Sequence, residues 1–103
     1  MRDAVIVSGA RTPIGSFGGV FKDVPASDLG AAAIRSALER ADLEPEQIDE
    51  VFMGNVLQAE EAGYAARLSA LRAGIPDEVP AITVNRACSS GLEAINIAAS
   101  FIR

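Results

Sequence analysis

Apolar and polar positions follow one another along this chain in blocks that predict three strands and three helices. Three short apolar runs have the length of strands buried in a sheet. Between them, apolar residues recur at intervals of three and four positions, which is typical of helices. The predicted strands are residues 4–7, 51–57 and 81–84, and the predicted helices are residues 27–42, 64–73 and 90–103.

The alternating order of these elements indicates an α/β fold with a mostly parallel sheet. Parallel strands need crossover connections, and here each connection carries a helix in a βαβαβα succession. Residues 9–19 contain four glycines and Pro13, so we expect a structured loop at the carboxyl end of the first strand. Ligands of α/β folds bind at such ends.

Local signals place the ends and inner faces of the first two helices. Ser27 is the expected N-cap of the first helix, with Asp28 in its first turn. In the second helix Leu68 and Leu71 are expected to point inward. Gly74 is expected to end that helix in a left-handed conformation.

The last predicted helix is apolar on every face, which is typical of a buried helix. A chain of 103 residues leaves roughly 35–40% of its unfolded surface exposed after folding, too much to surround one of its own helices. We therefore expect residues 1–103 to be the N-terminal part of a larger α/β protein.

Composition and charge exclude several classes of protein and site. The net charge of −5 argues against binding of nucleic acid or anionic membranes through bulk electrostatics. No apolar run approaches the ~20 residues of a membrane span, and no signal peptide is evident, so a cytoplasmic protein is expected. One cysteine and no histidine exclude an internal disulfide and argue against a metal site.

Cys88 is a candidate nucleophile, because it lies at the corner between the third predicted strand and the last predicted helix. Small neighbours allow a sharp turn there, as in a nucleophile elbow. A helix N-terminus favours a thiolate, and its N–H groups can stabilise an oxyanion. A lone cysteine is equally compatible with a small buried hydrophobe. Asn85 and Arg86 either orient a substrate or fix the corner.

The chain contains no histidine to act as the base for such a nucleophile. Either Cys88 is structural, or the base lies in protein outside these residues. The glycine spacings in residues 9–19 match neither the phosphate-loop pattern nor the dinucleotide-binding fingerprint, which leaves a nucleotide-binding domain as a weaker possibility.

Five segments together resemble the thiolase family, and the resemblance covers nearly the whole chain. An Ala-Cys-Ser-Ser sequence also occurs in the related ketoacyl synthases, whereas the Arg-Thr-Pro loop in the same chain favours thiolases. The segments are Arg11-Thr12-Pro13-Ile14-Gly15 with Phe17-Gly18-Gly19, Met53-Gly54-Asn55-Val56-Leu57-Gln58, Ala66-Arg67, Ala73-Gly74-Ile75-Pro76, and Val84-Asn85-Arg86-Ala87-Cys88-Ser89-Ser90-Gly91-Leu92.

This resemblance implies that Cys88 becomes acylated while the enzyme cleaves a 3-ketoacyl-CoA with CoA, or condenses two acetyl-CoA. It implies CoA and acyl-CoA as substrates, no permanently bound cofactor, and a homodimer or homotetramer. The family's activating histidine, its second cysteine and most of its CoA-binding surface come from later sequence, so no CoA-binding residue is assigned here. Ser89, with Asn85-Arg86, resembles the degradative members.

Two other hypotheses predict different behaviour. A related decarboxylating condensing enzyme would use two histidines, or a histidine and an asparagine, in place of the second cysteine. A non-catalytic thiolase-like lipid carrier or interaction fragment would show no acyl transfer.

Overall fold

The computed structural model describes residues 2–103, except for the side chain of Glu60. Three α-helices and two strands alternate along the chain, with two short 3₁₀ helices before the first strand and before the second helix. In chain order the elements are α1 (Ala26–Ala41), a 3₁₀ helix (Pro45–Gln47), β1 (Val51–Gly54), a 3₁₀ helix (Glu60–Tyr64), α2 (Ala65–Arg72), β2 (Ala81–Val84) and α3 (Ser90–Ile102).

The two strands pair in parallel, with Val51 opposite Ala81 and Gly54 opposite Val84. Helix α2 lies between them in the chain and forms the crossover that a parallel pair requires. The predicted parallel sheet and the bounds of β2 are confirmed. Strand β1 ends earlier than predicted, because β2 ends at Val84 and offers no further partner; Leu57 beyond it is 83% exposed.

The predicted first strand is wrong, since residues 4–7 have no regular secondary structure. A strand needs a hydrogen-bonding neighbour, and no strand of the described residues pairs with this segment. The side chains of Val5, Ile6 and Val7 are exposed, Ile6 by 80%. The two residues after this segment bond to α1 instead. The Ser8 hydroxyl donates to the Ala37 carbonyl, and the Arg40 guanidinium donates to the Gly9 carbonyl.

Helix α1 extends over nearly the predicted residues, but its N-cap is Pro25 and not Ser27. Ser27 lies in the first turn, is 1% exposed, and uses its hydroxyl in contacts with other elements. At the other end Asp42 adopts a left-handed conformation with φ 56° and its N–H bonds back to the helix. The apolar positions predicted to recur along the helix are all half-buried.

Small residues form the inner face of α2, and Leu71 does not. Leu71 is 37% exposed and Leu68 is half-buried, so the prediction of two inward leucines is wrong for Leu71. The buried residues of this helix are Ala65, Ala66, Ser69 and Ala70. Helices α1 and α2 approach closely through Gly30, whose missing side chain leaves room for Ser69. Bulky leucines would hold the two helices apart.

The core lies between α1, α2 and the segment that leads into β2. Gly74 ends α2 with φ 91°, as predicted. The following Ile75 is 3% exposed, and its N–H bonds to the Ala70 carbonyl. The buried cluster consists of Ala31, Ala70, Ala73, Ile75 and Val79, with Ile34, Leu38, Ile48 and Val51 packed against it.

Helix α3 starts at Ser90 as predicted, but within this chain it is not a buried helix. One side packs on the sheet, where Ala94 is buried and Phe101 meets the ring of Phe52 edge-on at 5.1 Å between centroids. Leu92 and Ile95 on other faces are 63% and 53% exposed. The sheet has only one other layer of helices in the described residues, so nothing there covers these faces. None of the described helices is long and apolar enough to traverse a bilayer.

Candidate active site

The turn between β2 and α3 holds Cys88 at the position the sequence predicted. Strand β2 ends at Val84, which is buried, and α3 begins at Ser90, so five residues form the corner. Cys88 is exposed and unpaired with any other cysteine. The residue before it, Ala87, has φ 48°, a left-handed conformation that is uncommon for alanine. The backbone therefore reverses sharply at the residue that presents the thiol.

Two serines after Cys88 bond to the backbone of the residues before it. The Ser90 hydroxyl accepts a hydrogen bond from the Arg86 N–H at 2.8 Å and donates to the Ala87 carbonyl at 2.6 Å. The Ser89 hydroxyl donates to the Arg86 carbonyl at 2.9 Å. Ser90 is 4% exposed. The hydroxyls of Ser89 and Ser90 therefore fix the turn that carries Cys88, in addition to the small size of these residues that a sharp turn requires.

The two side chains whose role the sequence left open have different partners. The Asn85 carboxamide oxygen accepts from the Ala87 N–H at 3.1 Å, and its nitrogen donates to the Val56 carbonyl at 3.4 Å. Asn85 therefore helps to fix the corner. The Arg86 guanidinium pairs with Glu93 at 3.0 Å, but its side chain is 68% exposed. Such a surface pair adds little stability.

Strand β1 approaches the first turn of α3 at Gly54. An ideal Cβ on Gly54 would lie 2.6 Å from the Gly91 nitrogen and 2.6 Å from the Ser90 carbonyl carbon, closer than real Cβ contacts. The next residue, Asn55, donates its N–H to the Val84 carbonyl at 2.9 Å. A glycine inside an apolar strand pattern often marks such a backbone approach. That signal could have identified Gly54 as a residue that shapes the site.

The loop between β1 and α2 is tied to the end of β1. The Asn55 carboxamide donates to the Ala62 carbonyl at 2.9 Å, and Gln58 donates to the Asn55 carbonyl at 2.8 Å. The role of this loop was not predicted from the sequence. In the structure its Glu60–Tyr64 helix joins the strand end beside the Cys88 turn to the helices behind it.

A charged cluster anchors that loop to α1 and α2. The Arg72 guanidinium contacts both oxygens of Glu61, at 3.0 and 3.3 Å, and also contacts Ser27 and Asp28. The Ser27 hydroxyl donates to Glu61 at 2.9 Å. Hydrogen bonds from Arg72 and then from Ser27 lower the pKa of Glu61, and the bond to Glu61 raises the pKa of Arg72. Sequence reasoning missed this cluster because its members lie far apart in the chain.

The chemistry available at this corner is that of an exposed thiol. The chain has no histidine that could act as its base. Within residues 2–103, no group of three or more histidine, cysteine or acidic side chains is placed to hold a metal ion. The turn presents an exposed thiol next to the start of α3, where the first N–H groups of a helix lack intrahelical partners.

Comparison with known families decides the assignment of this fold. The family model described as "Thiolase, N-terminal domain" matches residues 4–103. The chain belongs to the thiolase family. The resemblance drawn from the sequence motifs is thereby confirmed, and so is the α/β character of the fold.

Two curated proteins are similar to the chain over nearly all its length. A protein of Staphylococcus epidermidis named probable acetyl-CoA acyltransferase is 51% identical over 98 residues, which are 95% of this chain and 25% of that protein. The acetyl-CoA acetyltransferase of Cupriavidus necator is 52% identical over 102 residues, 99% of this chain and 26% of that protein. This thiolase chain thus spans about a quarter of the length of these relatives.

A solved thiolase has the same fold over the matched residues. The crystal structure of human mitochondrial 3-ketoacyl-CoA thiolase in complex with CoA matches 93% of this chain and 25% of that one, with a TM-score of 0.89 and 46% sequence identity. The agreement extends a likeness of sequence to a likeness of three-dimensional structure.

Proposed function

We propose that the protein containing this chain is an acyl-CoA C-acyltransferase that carries the acyl group as a thioester on Cys88. The observation that supports it most directly is the geometry of the Cys88 turn. An exposed thiol follows a residue with positive φ, at the start of a helix, and hydroxyls of Ser89 and Ser90 fix the backbone around it. Membership of the thiolase family supplies the substrate class.

The proposed degradative reaction consists of two transfers. The Cys88 thiolate attacks the 3-keto carbon of a 3-ketoacyl-CoA, and the bond between that carbon and C2 breaks. The electron pair of that bond stays with the departing acetyl-CoA, which takes up a proton at C2. The thiol of free CoA, losing its proton, then attacks the Cys88 thioester and releases the shortened acyl-CoA. Two thioester exchanges replace one difficult transfer.

The same steps in reverse condense two acetyl-CoA to acetoacetyl-CoA. The names of the similar proteins include both an acyltransferase and an acetyltransferase. CoA and acyl-CoA are the proposed substrates, with no permanently bound cofactor. CoA is present in the solved human relative.

The base is proposed to lie outside residues 1–103, which form part of the N-terminal domain of the enzyme. Attack by a cysteine needs a group that accepts its proton, and the chain contains no histidine for this task. The resemblance assigns that role, and the role of a second cysteine, to other parts of the polypeptide. A homodimer or homotetramer in the cytoplasm completes the proposal.

Intact-mass measurement of the encoded protein tests the proposal. The protein is exposed to acetoacetyl-CoA in the absence of free CoA, and any added group is located by peptide mapping. One acetyl group on Cys88, absent from Cys88→Ala and removed by added CoA, is the expected result. A protein that stays unmodified by acetoacetyl-CoA and by longer 3-ketoacyl-CoAs contradicts the proposal and favours a non-catalytic lipid carrier or interaction protein.

A condensation assay tests the competing condensing-enzyme hypothesis. A decarboxylating condensing enzyme forms its carbon–carbon bond by losing carbon dioxide from a malonyl thioester. Condensation that requires a malonyl thioester and releases carbon dioxide would replace the thiolase assignment, whereas condensation from acetyl-CoA alone supports it.

A further inference from the structure

The Asn85 carboxamide bonds to two backbone groups that lie on either side of the corner before Cys88. Its oxygen accepts from the Ala87 N–H, and its nitrogen donates to the Val56 carbonyl beyond the end of β1. We propose that Asn85 is a positioning residue that fixes the direction in which Cys88 leaves the turn. The inference rests on the proposed function, because it concerns how the thiol is aimed at an acyl-CoA.

The left-handed conformation of Ala87 is the first reason. An alanine with φ 48° persists only when its surroundings determine that conformation. The N–H of this residue is the group that Asn85 holds, at 3.1 Å. Cys88 is the next residue, so rotation of the Ala87 backbone would swing the thiol directly.

The division of hydrogen bonds around the turn is the second reason. The Ser90 hydroxyl accepts from the Arg86 N–H and donates to the Ala87 carbonyl, and the Ser89 hydroxyl donates to the Arg86 carbonyl. The Ala87 N–H is bonded instead to Asn85. The two serines lie after the cysteine and the asparagine lies before it, so the turn is fixed from both sides.

The link to β1 is the third reason. The Val56 carbonyl that Asn85 contacts lies two residues beyond Gly54, where β1 touches α3. Asn55 in the same stretch donates its N–H to the Val84 carbonyl. One backbone hydrogen bond and one side-chain hydrogen bond therefore connect the corner before Cys88 to the end of β1 and the residues that follow it.

Four variants of the encoded protein test the role of Asn85. Asn85→Ala removes both bonds, and Asn85→Asp keeps the acceptor for the Ala87 N–H. Ala87→Gly, alone and combined with Asn85→Ala, removes the Cβ that disfavours positive φ. Asn96→Ala is the matched control, since Asn96 is an exposed asparagine on α3. Two quantities are measured: the hydrogen-exchange rate of the residue-87 amide, and kcat and KM for acyl transfer from a 3-ketoacyl-CoA to CoA.

We expect amide exchange at residue 87 to be about tenfold faster in Asn85→Ala, since its hydrogen bond is lost. We expect kcat to fall about a hundredfold in this variant with KM within about threefold of wild type, because a small misplacement of a reacting group has that effect. Asn85→Asp should retain slow exchange at residue 87, because the acceptor for the Ala87 N–H is kept. Its kcat should lie between those of wild type and Asn85→Ala, because the bond to the Val56 carbonyl is lost. The kcat loss caused by Asn85→Ala should shrink to about tenfold or less in the Ala87→Gly background, since glycine adopts positive φ unaided. Asn96→Ala should match wild type.

Unchanged exchange at residue 87 in Asn85→Ala overturns the inference, whatever the activity. Faster exchange with unchanged kcat overturns the positioning role, and an undiminished loss in the Ala87→Gly background overturns the assigned cause. A wild-type protein with no acyl transfer overturns the proposed function and the catalytic part of this inference together. In that case the exchange rates still decide whether Asn85 fixes the turn.

Discussion

Gly54 in β1 and Gly91 in α3 lie so close together that a Cβ on Gly54 would stand 2.6 Å from the Gly91 nitrogen. The same Cβ would meet the carbonyl carbon of Ser90 at 2.6 Å and its oxygen at 2.8 Å. These are backbone atoms, which cannot rotate aside as a side chain can. The position of the start of α3, and of Cys88 just before it, therefore depends on the missing side chain of Gly54.

Replacing Gly54 by alanine should displace the start of α3 and impair the site. We expect the free energy of unfolding to fall by about 1–3 kcal/mol, the usual range for an overpacked contact. Acyl-enzyme formation should slow by about tenfold or more, because Cys88 moves with the helix. Urea denaturation and the rate of acetyl incorporation from acetoacetyl-CoA measure the two effects.

Gly9→Ala is the matched control for this substitution. No atom lies within 4 Å of a Cβ at Gly9, and its φ is outside the left-handed region. Both properties should be near wild type in this variant. Equal behaviour of the two alanine variants would show that the approach of β1 to α3 does not hold Cys88 in place.

Sequence patterns located the Cys88 corner but not the contacts that shape it. The apolar run of β2, the apolar residues of α3 and the small residues between them are local signals, and the structure has a strand, a helix and a turn at these positions. The Asn85 and Ser90 hydrogen bonds depend on the φ of Ala87, which no composition rule predicts for an alanine. Gly54 is different, because a glycine inside an apolar strand indicates a close approach of another backbone.

Failures of the sequence predictions have specific physical causes. Residues 4–7 have the composition of a buried strand, but strand formation depends on a partner that composition does not supply. Ser27 has the residue type of an N-cap, yet its hydroxyl bonds to Glu61, 34 residues away. Leu71 was expected inside because it is apolar, whereas Gly30 brings the two helices too close for leucine between them.

Gly30→Ala should destabilise the contact between α1 and α2. A Cβ at Gly30 would lie 2.9 Å from the Ser69 Cβ and 3.0 Å from the Met53 Cε. We expect a loss of about 1–3 kcal/mol in the free energy of unfolding from overpacking, partly offset by about 1 kcal/mol of helix propensity. Denaturation in urea measures the net change.

The control for Gly30→Ala is Gly91→Ala, which is also a glycine within a helix. A Cβ at Gly91 meets no atom within 4 Å. This variant gains helix propensity without the clash and should be as stable as wild type or more so. If Gly30→Ala proved as stable as Gly91→Ala, the packing of the two helices would have to be looser than in the structure.

The Glu61 cluster should make stability depend on pH in the acidic range. Hydrogen bonds from Arg72 and Ser27 lower the pKa of Glu61 from its ordinary value of 4.5, so the folded protein favours the ionised carboxylate. The resulting stabilisation is fully present above pH 4.5 and is lost as the pH falls through the lowered pKa. Wild type should therefore be more stable than Glu61→Gln at pH 7, and the difference should disappear in strong acid.

Urea midpoints of the two proteins between pH 7 and pH 3 measure this difference. Glu46→Gln serves as the control, because Glu46 is an exposed acidic residue outside the cluster. Its midpoint should stay close to that of wild type. A difference between wild type and Glu61→Gln that stays constant down to pH 3 would contradict the ionic role of Glu61.

Substitutions of Cys88 and Ser90 should have different effects on catalysis and stability, although the two residues lie two positions apart. Cys88 is exposed, so Cys88→Ala should change the free energy of unfolding by no more than about 0.5 kcal/mol while it abolishes acyl-enzyme formation. Ser90 is 4% exposed and its hydroxyl makes two backbone bonds. Ser90→Ala should therefore cost about 1–3 kcal/mol, since the Arg86 N–H loses its acceptor.

The same pair of variants distinguishes a nucleophile from a cysteine that serves only as a small hydrophobe. A hydrophobic role requires burial, and truncation of a buried side chain destabilises a protein. If Cys88→Ala lowered the unfolding free energy by about 2 kcal/mol and acyl transfer persisted, the thiol would be structural and the nucleophile would lie elsewhere. We expect Cys88→Ala to keep full stability and to lose acylation completely. The Cys88 thiol is exposed, and the hydrogen bonds that hold the corner are made by Asn85 and Ser90.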